Sequence, residues 1–138
     1  MKRVKPKKHF GQHFLTDLNV AKKITDSIPR NSNHLIEIGP GTGILTQFIY
    51  NKHNKFTAIE IDSDLIAFLN DKFPGIDVVN QDFLQFNLNK IESNCLSIVG
   101  NFPYNISSQI LFKTFEYRNK ITSLVGMFQL EVGDRISA

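Results

Sequence analysis

The sequence predicts an α/β protein built on a parallel β-sheet with helices on both faces. Three observations point there. Short apolar runs of strand length alternate with segments whose apolar residues recur at helical spacing. The first of those runs ends in a glycine cluster and passes directly into a helical segment. No run of 18 apolar residues and no internal repeat interrupts the alternation.

Taken in order, "TDLNVAKKITDSI" places Val20, Ile24 and Ile28 four residues apart, with Thr16 or Asp17 to cap the helix and Pro29 to stop it. "LIEIG" at 35–39 reads as a strand, and "TGILTQFIYNK" at 42–52 as a helix with Ile44, Leu45, Phe48 and Ile49 on one face. "FTAIEI" (56–61) is the second strand and "SDLIAFLNDKF" (63–73) a helix capped by Ser63. After a Pro-Gly turn comes "IDVVN" (76–80) as the third strand. "CLSIVG" (95–100), "SSQILFKTFEY" (107–117) and "ITSLVGMFQ" (121–129) complete the pattern as strand, helix and strand. Strands separated by helical segments require crossover connections, and those place helices on both sheet faces.

A chain of 138 residues with 41% hydrophobic content supports one domain with a real core and is too short for two ordinary ones. The basic N-terminus is not followed by an apolar segment or a small-residue cleavage site, so a soluble cytoplasmic protein is expected; a monomer is expected as well. The single cysteine, Cys95, cannot form an internal disulfide, and no Cys/His spacing suits a metal. Net charge is +3, yet Lys2, Arg3, Lys5, Lys7 and Lys8 all lie in the first eight residues, leaving 11 basic against 13 acidic residues elsewhere. Residues 1–9 therefore read as a basic arm on a near-neutral body at 10–138. Such an arm suits contact with nucleic-acid phosphates; the alternative is a solvated tail.

"EIGPGTG" puts Gly39, Gly41 and Gly43 at the carboxyl end of the first strand, the edge where open parallel sheets bind ligands. Glu60 ends the second strand about 20 residues on, where a carboxylate can accept both ribose hydroxyls. A dinucleotide fingerprint would need glycine at position 44, which is Ile44, so NAD is disfavoured. Glu37 would set a negative charge beside the loop, poor for a pyrophosphate and good for an ammonium or sulfonium. S-adenosylmethionine carries both cations and no phosphate. Asp82 in "NQDF" is placed to accept from an adenine amine. Singly, Glu37 or Asp82 fits a loop cap or a solvated carboxylate equally well; the set at successive strand ends carries the weight.

"VGNFPYNIS" leaves the fourth strand with an amide, an aromatic ring, a proline and a second aromatic ring in succession. An aromatic amine is a poor nucleophile because its lone pair is delocalised. Two acceptors on its N–H bonds, the Asn101 side-chain oxygen and the Phe102 carbonyl, would localise that pair. Pro103 would hold the backbone, and Tyr104 would stack on the base, worth about 1–3 kcal/mol. No general base is required, because the methylated nitrogen is acidic enough to lose its proton to solvent.

Together "FGQHFL", "EIGPGTG", "AIEID", "NQDF" and "VGNFPYNIS" resemble, in order and spacing, the ribosomal RNA adenine N6,N6-dimethyltransferases, best the bacterial small-subunit (KsgA) type. The resemblance covers nearly the whole chain after the arm. It implies a Rossmann-like S-adenosylmethionine-dependent methyltransferase fold that dimethylates two adjacent adenosines near the 3′ end of small-subunit rRNA during ribosome maturation. It further implies that His13 and Leu15 close over the cofactor with Gln12 supporting them. Gly39 and Gly41 would approach its methionine portion, Glu60 its ribose and Asp82 its adenine. Asn101 would touch both cofactor and target base. The arm would follow rRNA phosphates on the immature small subunit.

Two alternatives are a sister Erm-type enzyme acting on large-subunit rRNA, whose first turn usually reads closer to "EIGSGKG", and a non-catalytic RNA-binding assembly factor. Departures from the family pattern are Leu130, where lysine is usual, and Gly133, at a position where a better helix former is usual and glycine costs about 1 kcal/mol against alanine. The family continues past the equivalent of Ala138 with further strands, a second base-stacking aromatic and a helical domain. The chain is therefore expected to be partial, with its fifth strand left as an edge.

Overall fold

The structure is a computed structural model, and it describes residues 16–52, 55–102 and 105–128. The basic arm, Gln12, His13, Leu15, Pro103, Tyr104, Leu130 and Gly133 lie outside the described residues. Five strands, β1 (His34–Ile38), β2 (Phe56–Glu60), β3 (Val78–Asn80), β4 (Leu96–Asn101) and β5 (Ile121–Met127), form one sheet in the order β3-β2-β1-β4-β5. All four pairings are parallel, as the alternation predicts. The helices are α1 (Leu18–Asp26), α2 (Thr46–Ile49), α3 (Ser63–Lys72) and α4 (Ser107–Glu116). None is long and apolar enough to cross a membrane, among the described residues.

Two cores flank the sheet because side chains alternate along each strand. Ile36, Ile38, Ile59 and Ile98 pack on one face with Ile110 of α4 and with Phe83, Phe86 and Leu88. Leu35, Ala58 and Val99 pack on the other with Ala21 of α1 and with Leu45 and Ile49. On the described residues β5 is an outer strand of the sheet.

Local departures from the sequence reading have identifiable causes. Asp17, rather than Thr16, caps α1, its carboxylate accepting from the N–H groups of Asn19 and Val20 at 2.9 and 3.3 Å. The cap of α3 is Asp62 and not Ser63: Asp62 stays extended and accepts from the Asp64 N–H at 3.0 Å, so Ser63 is already helical. The helix expected over 42–52 is α-helical only at Thr46–Ile49; Gly43, with φ +90°, lies outside helical geometry and keeps the helix from starting at Thr42. Beyond β3, two 3₁₀ turns at Phe83–Gln85 and Leu88–Lys90 had no periodicity to announce them.

Candidate active site

Strand order sets the place of the site. Growth of the sheet reverses between β1 and β4, and in open parallel sheets a crevice opens outside the carboxyl ends at that point. Register then aligns the candidate residues. Ile38 pairs with Ile59 and with Gly100, so Gly39, Glu60 and Asn101 stand in one row one step further on. Glu60 in turn pairs with Asn80, two residues before Asp82.

Gly39, Gly41 and Gly43 all adopt left-handed backbone, with φ of 61°, 60° and 90°, but they serve different ends. A Cβ on Gly43 would lie 2.3 Å from the Phe73 ring, so this glycine is needed for α3 to pack against the turn. A Cβ on Gly39 would meet nothing within 4 Å, so it opens onto space that a ligand can enter. Lys72 holds the loop from the far side, donating to the Thr42 carbonyl at 3.0 Å.

Glu60 is 3% exposed. One of its oxygens accepts the Gly41 N–H at 3.1 Å and the other the Asp62 N–H at 3.0 Å, so it joins the glycine turn to the start of α3. Each oxygen retains acceptor capacity for a hydroxyl. Burial raises its pKa, against the lowering effect of the Asp62 and Gly41 N–H groups. Asn80 steadies this strand end, its side-chain amide donating to the Glu60 and Ile61 carbonyls.

Glu37 departs from the negative charge expected of it beside the loop. It points to the α1/α2 side, is 1% exposed, and accepts the Thr46 hydroxyl at 2.5 Å. Burial pushes its carboxyl up to about 8, the Thr46 hydrogen bond opposing and the Glu60 charge adding, so the group is mainly neutral at pH 7. Thr46 is therefore a site-supporting residue that sequence reasoning missed; its place in the first turn of the helix after the glycines was the available signal.

Asp82 is half-buried and caps the 3₁₀ turn at Phe83–Gln85, with Oδ1 accepting the Leu84 N–H at 3.0 Å. Asn101 is half-buried at the end of β4, opposite Met127. Phe102 is 1% exposed. Its ring packs on Phe128 with centroids 4.7 Å apart, and its N–H donates to the Met127 carbonyl at 3.1 Å. The Phe102 side chain is thus a core anchor, and only its backbone is available for chemistry. The residues of this edge suit a nucleoside-bearing cation: open space at Gly39, acceptors at Glu60 and Asp82, and no cluster of basic side chains for a pyrophosphate among those described.

Two substitutions separate the glycine roles. Gly43→Ala is expected to cost about 3 kcal/mol or more, from positive φ plus the clash with Phe73, and to lower Tm sharply. Gly39→Ala should cost only about 1–2 kcal/mol while weakening cofactor binding about tenfold or more, read by calorimetry.

A parallel-sheet α/β fold with glycine turn, strand-end carboxylates and an Asn-Phe exit at the switch point defines a Rossmann-like methyltransferase of the S-adenosylmethionine-dependent class. The crystal structure of the 23S rRNA methyltransferase ErmE matches with a TM-score of 0.76 at 31% identity, over 87% of this chain and 49% of that one. A dimethyladenosine transferase from Plasmodium falciparum matches with a TM-score of 0.76 at 29% identity, over 91% of this chain and 46% of the other. Residues 3–138 match the family described as Ribosomal RNA adenine dimethylase, and the chain belongs to that family. The Ribosomal RNA small subunit methyltransferase A of Flavobacterium johnsoniae is 44% identical over 99% of this chain and 54% of its own length. That of Cytophaga hutchinsonii is 43% identical over 100% of this chain and 55% of its own length. The chain thus spans about half the length of the curated relatives it matches.

Proposed function

We propose that the chain carries the cofactor-binding and base-positioning residues of an S-adenosylmethionine-dependent enzyme. Its reaction is dimethylation of the N6 amino groups of two adjacent adenosines near the 3′ end of small-subunit rRNA. The observation that carries this reading is the row of Gly39, Glu60 and Asn101 along the carboxyl edge at the β1/β4 switch point. The small-subunit assignment draws on the names of the relatives. The enzyme works in the cytoplasm as a monomer on the immature small subunit, with Lys2, Arg3, Lys5, Lys7 and Lys8 of the arm at 1–9 following rRNA phosphates.

The cofactor supplies an electrophilic methyl group. Gly39 and Gly41 admit its methionine portion to the backbone, Glu60 accepts from its ribose hydroxyls, and Asp82 accepts from its adenine amine. His13 and Leu15 cover it, with Gln12 behind them. Glu37 supports the turn from beneath, and its carboxyl ionises more readily when a cation lies close. On the substrate side, the Asn101 oxygen and the Phe102 carbonyl accept the two N–H bonds of the target amine and localise its lone pair. Pro103 fixes the backbone that follows them and Tyr104 stacks on the ring. The proton leaves to solvent, so rate comes from positioning and electrostatics.

The test is calorimetry of the chain with S-adenosylmethionine and with NAD, followed by tritium transfer from labelled cofactor to immature small and large subunits. Selective S-adenosylmethionine binding and label in small-subunit adenosines support the reading. Preference for NAD, label in the large subunit, or no transfer by a chain extended to the full length of the relatives opposes it.

The carboxyls of the site also predict a pH dependence. Between its unfolded value near the ordinary 4.5 and its folded value of about 8, Glu37 holds a proton only in the native state. Stability from this group is therefore greatest at low pH, falls as pH rises through that window and levels above it. Glu60 acts with the same sign. His34, lowered mainly by burial, acts oppositely but only below its ordinary 6.5. Glu37→Gln keeps an oxygen for Thr46 and cannot ionise. Thermal melts should show its Tm gaining about 5 °C or more on the parent between pH 5 and 8.

A further inference from the structure

Lys113 is a lysine on the helix that follows the Asn-Phe exit, and its ammonium turns inward. It donates to the carbonyls of Phe83 and Phe86, both at 2.6 Å, and lies 4.7 Å from the centre of the Phe83 ring. Both carbonyls belong to the 3₁₀ turn and its exit, the turn that Asp82 caps with its own side chain. The same turn closes on itself through the Gln85 N–H to the Asp82 carbonyl at 3.0 Å and the Phe86 N–H to the Phe83 carbonyl at 3.1 Å. Phe83 and Phe86 are buried in the core beneath it.

A 3₁₀ turn of three residues has little stiffness of its own. Two charge-assisted hydrogen bonds from one rigid helix supply it, and such bonds are about twice as strong as neutral ones. Burial lowers the Lys113 pKa, while Asp82 and Glu116 favour its charged form. Asp82 is thereby linked to Lys113 twice, through the turn it caps and through the field of the ammonium.

We propose that Lys113 is a positioning residue that sets the Asp82 carboxylate for recognition of the cofactor's adenine amine, joining α4, which begins six residues beyond Asn101, to the adenine end of the site. This rests on the cofactor reading given above. It makes Lys113 a determinant of specificity toward 6-amino purines without contact with the cofactor.

Calorimetry on the 138-residue chain tests it with two probes, S-adenosylhomocysteine and S-inosylhomocysteine, which differ in carrying an amine or an oxygen at the purine 6-position. The unmodified chain should prefer the adenosyl compound. Lys113→Met should weaken that compound about tenfold while leaving the inosyl compound nearly unchanged, so that the preference collapses. Lys113→Arg, which still offers N–H donors to both carbonyls, should restore most of it.

An unchanged preference in Lys113→Met overturns the proposal, whether both affinities are retained or both fall together with Tm, as a packing role would have it. Failure of the unmodified chain to bind S-adenosylhomocysteine overturns the cofactor reading and this one with it. Binding with an unaltered preference in the variant overturns this one alone.

Discussion

Asn101→Ala is expected to lower the rate of methyl transfer by about two to three orders of magnitude while changing cofactor affinity far less. The residue ends β4 at the switch point, in register with Gly39 on one side and Met127 on the other. Its proposed work is to accept one N–H of an amine whose lone pair is otherwise spread into the purine ring. That interaction is worth most when the nitrogen becomes tetrahedral, so its loss falls on kcat more than on KM. Single-turnover transfer of labelled methyl with saturating cofactor reads the effect. A drop of less than tenfold would place the main acceptor elsewhere, with the Phe102 carbonyl as the first alternative.

Gly126→Ala should be the most destabilising single change along the β4/β5 seam. A Cβ there would lie 2.1 Å from the Gly100 carbonyl oxygen and 2.4 Å from the Phe102 ring. Backbone on one side and a 1% exposed ring on the other leave nothing to yield cheaply. Overpacking of this severity costs about 3 kcal/mol or more. The consequence reaches function because Phe102 is the anchor of the Asn101 turn: moving β5 away pulls the Met127 carbonyl from the Phe102 N–H. Thermal melts should show Tm lowered by about 10 °C, and activity at a temperature where the variant is folded should fall with it. The nearby Gly100 faces a milder limit, 2.8 Å to the Ile38 carbonyl.

Much of this was legible in the chain. Short apolar runs and period-3.6 patterning located the five strands and four helices of the described residues, since apolar residues are what bury a face. Motif order located the glycine turn, Glu60, Asp82 and Asn101, because each sits where a strand ends and a parallel sheet makes strand ends neighbours. Helix limits were less legible. Asp62 and Ser63 are both capping types, and only backbone geometry decides which stays extended.

What the sequence by itself determined is the parallel α/β class and the types of group gathered at its carboxyl edge, because both follow from local pattern and from spacing along the chain. Only the tertiary structure decided what those groups face. It buried the Glu37 carboxyl against Thr46 and made it mainly neutral, separated Gly43 as a packing glycine from Gly39 as an open one, and turned Lys113 inward onto the Asp82 turn. Desolvation, close approach and hydrogen bonding depend on residues 9 to 30 positions away in sequence and in contact only after folding, and no local pattern carries that information.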